Sequence, residues 1–266
     1  MSQPKFPSNY VLRREHLRDS EGWRKVTEDY TRRDLTKASD KLPAMAGLAA
    51  QAQTFRPGSR YLSGLWENEL PHCLLWEARY PDFGTRIEHT TAPSWSWACL
   101  VGGIKHSQAL RHTPREEPNA VEDIAVDLPQ PPMRSSLYGT LPAGQQTTLI
   151  VTALLCDFRV LKVERDRHPS YLLSNNETIQ QGSPGQTPIN FGGYLVPDSM
   201  EDLHSLEAGE PAVLISVTKG ERFLVLRKVR ERDHTFQRTG IFEMYKTDVD
   251  HPTNERAFTK KHITIV

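Results

Sequence analysis

The 266-residue chain has no charge of one sign to spare: 33 Lys and Arg stand against 33 Asp and Glu. A surface built for polyanions carries a one-sided excess of Lys and Arg, so neither nucleic acid nor an anionic membrane is expected as a partner. No run of about 20 apolar residues occurs, which excludes a membrane-spanning helix. Residues 1–10 contain Pro4, Lys5 and Pro7 where a secretory leader needs an unbroken apolar stretch. Cysteine is scarce as well. Cys73, Cys99 and Cys156 are odd in number, far apart and flanked by apolar or aromatic residues, the pattern of buried free thiols in a reducing compartment. A cytoplasmic location follows as the expectation, and the sequon Asn176-Glu177-Thr178 then carries no weight, since so short a pattern recurs by chance.

Catalytic motifs are missing too. The chain has no G-x-G-x-x-G, P-loop, H-E-x-x-H or G-x-S-x-G, so the phosphate, zinc and serine chemistries those patterns serve are not expected. His106 and His112 lie near Cys99, but no second cysteine stands at zinc-finger spacing. Cys73 adjoins His72, yet side chains on neighbouring residues rarely face each other as nucleophile and base. No catalytic, cofactor-binding or metal-ligating residue is assigned, and no cofactor is expected.

What the chain does have is tryptophan in an unusual place. Ala92-Pro93-Ser94-Trp95-Ser96-Trp97-Ala98 sets two of the five tryptophans at alternate positions. On a strand, alternate side chains share a face, so Trp95 and Trp97 are expected side by side on a packing strand over residues 95–104. Upstream the pattern is helical. Trp23, Val26 and Tyr30 recur at spacings of three and four behind Asp19 or Ser20 as cap. Met45, Leu48, Ala49 and Ala52 follow Asp40 as cap, with Pro43 in the first turn and Pro57-Gly58 as stop. Gly47 and Ala49 are expected to admit a close neighbour, and Gly64 before Leu65-Trp66 to mark tight packing. Leu62, Leu65, Trp66 and Leu70 continue at helical spacing, and Leu74-Leu75-Trp76 resume after Pro71 as an apolar run that fits either strand or helix.

Past Pro81 the character turns to β. Strands are expected over residues 147–163, 192–196, 239–245 and 262–266, with a hairpin of 212–217 and 223–229 around Lys219-Gly220. Residues 112–117 and 128–136 are proline-rich and polar, and residues 175–188 are expected as a long surface loop. The fold class is therefore α+β: a short N-terminal helical segment, residues 1–90, packed on a C-terminal antiparallel barrel or sandwich, residues 91–266. The mixed-sign stretches 159–167 and 227–233 fit solvated hairpin tips, and basic Arg32 and Arg33 are offered Glu67 or Glu69 as partners.

Five blocks in order, Trp23-Arg24-Lys25-Val26 with Tyr30-Thr31-Arg32-Arg33-Asp34-Leu35-Thr36, then residues 40–49, 61–66, Leu74-Leu75-Trp76 and 92–98, resemble the fungal heterokaryon-incompatibility (HET domain) proteins. Arg238-Thr239-Gly240-Ile241-Phe242 and the final β-like stretch resemble the way such proteins end. The resemblance implies a C-terminal portion that lacks the opening of the HET domain, from a family associated with non-self recognition and cell death and likened to TIR signalling domains. It transfers no catalytic residue. Its structural signature is Trp66, Trp76, Pro93, Trp95 and Trp97, with the indoles meeting where helical and β parts join.

The function expected is a non-catalytic regulatory or interaction region, with another protein as partner. The alternatives are an enzyme with a pocket between the two parts, lined by Trp95, Trp97 and nearby histidines, or a degenerate fragment without independent function.

Overall fold

The computed structural model describes residues 14–33, 35–79, 83–88, 92–106, 121–127, 147–164, 170–175, 189–218, 222–229, 232–245 and 257–266. Residues 112–117, 128–136 and 176–188 lie outside these residues, as does the hairpin turn Lys219-Gly220, while Asn175, expected to open the long loop, ends the strand Ser170–Asn175.

Helix α1 (Ser20–Thr31) starts where the extended Asp19 accepts the Gly22 N–H on its carboxylate at 2.7 Å, one of the donors a helix N-terminus cannot satisfy internally. Trp23 and Val26 are buried and Tyr30 half-buried along one stripe. Helix α2 (Lys41–Gln53) buries Leu42, Met45, Ala49 and Ala52. Asp40 does not cap it: a 3-10 turn, Ala38–Asp40, leads in and gives Asp40 φ −83° and ψ 1°, away from the extended backbone of a capping residue, and its side chain makes no cap bond. Nor does Gly47 receive a close neighbour, since a Cβ there would meet nothing within 4 Å.

Residues 61–70 overturn the helical expectation. β1 (Tyr61–Leu62) and β2 (Leu65–Trp66) form a minimal hairpin through Ser63 and Gly64, both at positive φ, 48° and 103°. Two successive positive φ values match the right-handed twist of paired strands, and glycine supplies one of them at no steric cost. The spacing of Leu62, Leu65 and Trp66 comes from this turn. A single 3-10 turn, Glu67–Glu69, replaces the remaining helix, and another, His72–Leu74, follows it.

The strand expected at 95–104 shrinks to Leu100–Val101 and the Ile104 start of a second short strand, on either side of Gly102-Gly103. Residues 94–99 form a turn and a 3-10 segment, Trp97–Cys99, because Ser96 takes the Ala98 N–H on its own hydroxyl at 3.0 Å and so competes with a ladder. Regular pairing is confined to β3 (Trp76–Ala78), β4 (Thr85–Arg86), β5 (Leu100–Val101) and β6 (Ile104–His106), joined as β3–β6 and β4–β5.

An eight-stranded sheet follows: β7 (Asp123–Asp127), β8 (Thr148–Glu164), β9 (Ser170–Asn175), β10 (Asn190–Pro197), β11 (Ala212–Ser216), β12 (Arg222–Lys228), β13 (Thr235–Met244) and β14 (Thr259–Ile265). Helix α3 (Met200–Glu207) connects β10 to β11 and is capped by Ser199, which accepts the Asp202 N–H. The antiparallel path β9-β8-β11-β12-β13-β10 closes on itself through the β10–β9 pairing. Strand β14 bridges β8 and the start of β13, and its two-residue contact with β13 is parallel where an antiparallel sheet was expected. Strands β7 and β9 carry no expectation from the sequence.

Both faces of the central strands are buried. Leu214, Phe223, Val225 and Phe242 point into a core with Phe158, Tyr171 and Phe191; Val213, Ile215, Leu224, Leu226 and Ile241 point the other way, onto the tryptophans of the N-terminal layer. This explains why Phe223 to Val229 lacks a polar alternation. The fold is α+β, a short helical N-terminal part packed on a largely antiparallel β part.

Candidate functional site

Four tryptophans, Trp66, Trp76, Trp95 and Trp97, are fully buried in the core shared by the N-terminal layer and the sheet, and Pro93 is buried beside them. They are held by hydrogen bonds to main chain rather than by alternation along a strand. Trp23 and Trp97 both donate from Nε1 to the Gly64 carbonyl, at 3.1 and 3.2 Å, and Trp76 donates to the Trp95 carbonyl at 3.0 Å. Gly64 is obligatory twice over: its φ is 103°, and a Cβ there would stand 2.6 Å from the Trp97 indole nitrogen. Trp23, Tyr61 and Trp66 pack edge to face at 5.1–5.8 Å, while Tyr30 meets Trp97 at 6.1 Å. Trp66 and Trp95 keep buried Nε1–H groups without a hydrogen-bond partner.

Against these rings lies the one concentration of fully buried charge in the described residues. Arg238, inside β13 and 0% exposed, donates from Nε and Nη2 to the Asp198 carboxylate at 3.2 and 3.1 Å. Its other donors reach the Leu74 carbonyl at 2.6 Å and the Trp76 carbonyl, and its guanidinium lies 3.3 Å from the centre of the Trp76 ring. Its backbone N–H donates to Ser94 Oγ at 2.9 Å, and Ser94 in turn donates to the Val266 carbonyl. Arg86, from β4, donates to Asp202 at 3.0 and 2.8 Å and to the Arg238 carbonyl at 2.6 Å, and its guanidinium lies 3.6 Å from Asp198. Ser199 donates to Asp202 at 2.7 Å.

Two arginines and two aspartates thus span the seam between layer and sheet. Burial pushes the Asp198 carboxyl above its ordinary value against the pull of Arg238 and Arg86. Burial depresses Arg86, but Asp198 and Asp202 outweigh it and hold that guanidinium above its usual value. Cys99, 3.8 Å from Arg86, is pushed up to about 11 by burial, and Cys73 well above its ordinary value for the same reason. Neither thiol ionises near neutral pH, so neither is an activated nucleophile. Lys41 at the head of α2 is 4% exposed; it donates to the Leu100 carbonyl and lies 5.9 Å from the Trp97 ring. With no carboxylate in ion-pair range among the described residues, burial brings it down to about 8.

A smaller notch opens between α3, β12 and β13, lined by Asp202, Ser205, Glu210, Arg227 and Thr239, with about 10 Å³ of free volume, room for one water. There Asp202 Oδ1 has no hydrogen-bond partner and stands 3.8 Å from Arg227. Among the described residues no three His, Cys, Asp or Glu gather as a metal site.

The pairing expected between Arg32 or Arg33 and Glu67 or Glu69 is replaced by others: Arg33 pairs with Asp29, Arg60 with Glu67 and Arg56 with Glu69. All three cysteines are buried, and none is in a disulfide. His106 lies in β6, 3% exposed, with its backbone N–H on Glu28 at 2.8 Å. Arg238 opens the Arg238-Thr239-Gly240-Ile241-Phe242 stretch of the family resemblance, but no catalytic or binding motif marks Arg238, Asp198, Arg86 or Asp202. Ser199 three residues before Asp202, a helix-start spacing, was the available signal.

No family model, curated protein or solved structure matches the chain. No helix among the described residues is long and apolar enough to cross a membrane.

Proposed function

We propose that this chain is a non-catalytic regulatory or interaction region of a heterokaryon-incompatibility-type protein, linked to non-self recognition, working in the cytoplasm through another protein. The observation that carries this reading is how the buried charges are used. Arg238 commits its guanidinium to Asp198 and two main-chain carbonyls, and Arg86 commits its own to Asp202 and a third carbonyl. Groups bonded in this way hold two layers together, with most of their donors spent on the protein itself. The blocks that carry the family resemblance supply the same seam: Trp23, Lys41, Gly64, Trp66, Trp76, Ser94, Trp95, Trp97 and Arg238 all belong to it. Trp95 and Trp97, which would line the pocket of the enzyme alternative, are closed off from solvent.

The test is an assay of the purified chain for cleavage of nicotinamide dinucleotide, the activity that the TIR likeness would bring. The expected result is product at the level of a protein-free blank. Turnover of more than one dinucleotide per chain, abolished by changing a residue of the seam without unfolding the protein, overturns the reading.

A further inference from the structure

We draw no further inference here: the strongest candidate, the outward face of α2 formed by Pro43, Ala44, Gly47 and Ala50, is exposed and free of charge, but nothing in the structure shows what covers it.

Discussion

In the sheet, each of strands β8 to β13 has a hydrogen-bonded neighbour on both sides, so main-chain groups satisfy one another and side chains are free to be apolar. In the N-terminal layer of residues 14–106, two helices are accompanied only by strands of two or three residues and single 3-10 turns. There the carbonyls of Gly64, Leu74, Trp76, Trp95 and Leu100 find their donors on indoles, guanidiniums and an ammonium. A region poor in ladders depends on specific side chains to close its backbone; a region rich in them depends on volume and pattern. The two regions are therefore expected to fail differently. All five tryptophans lie between residues 23 and 97, so their fluorescence reports the layer alone while far-UV circular dichroism is weighted to the sheet.

The sharpest way to break the comparison is Arg238→Met. It strands the buried Asp198 and two carbonyls, and removing one partner of a buried ion pair costs about 3–5 kcal/mol. In a urea titration the fluorescence midpoint is expected to fall well below the dichroism midpoint. Coincident transitions would mean that the seam does not hold the layer separately. Leu214→Ala, on the fully buried inner face of β11, is expected to cost about 3 kcal/mol and to move both midpoints together, because it removes volume from the closed sheet on which the layer rests.

Next is Lys41, whose folded value of about 8 lies below the unfolded value near 10.5. Between these values the unfolded chain binds more protons, so this group makes stability rise with pH, by roughly 2–3 kcal/mol from pH 8 to 10. Cys99, raised to about 11, and Tyr30, raised to about 12 by burial, act in the opposite sense as pH climbs through their unfolded values. The clean measurement is therefore the difference between wild type and Lys41→Met across that range. Wild type is expected to gain on the variant as pH rises, and a constant difference would refute a depressed Lys41. The smallest effect belongs to the exposed Glu21 and Lys25 pair on α1, 2.6 Å apart: Glu21→Ala is expected to shift either midpoint by less than about 0.5 kcal/mol.

Periodicity located α1, α2 and the strands β8, β10, β11, β12, β13 and β14, because helices and ladders impose a repeat on the residues they bury. It failed at residues 61–70 and 95–99, where the turns are set by Ser63, Gly64 and Ser96 and where burial on every side erases the repeat. At the seam, Trp76, Trp95 and Trp97 were legible as large apolar groups that had to be buried. Their hydrogen-bond partners were not, since Gly64 is 33 residues from Trp97 and Asp198 is 40 from Arg238.

The sequence by itself determined what had to be inside: the indoles, the free thiols, and strands too apolar to face water. Only the tertiary structure decided which charges went in with them. A buried guanidinium is tolerated where a carboxylate and open carbonyls converge on it, and that convergence of β4, β13 and the chain before α3 exists only after the layer has met the sheet.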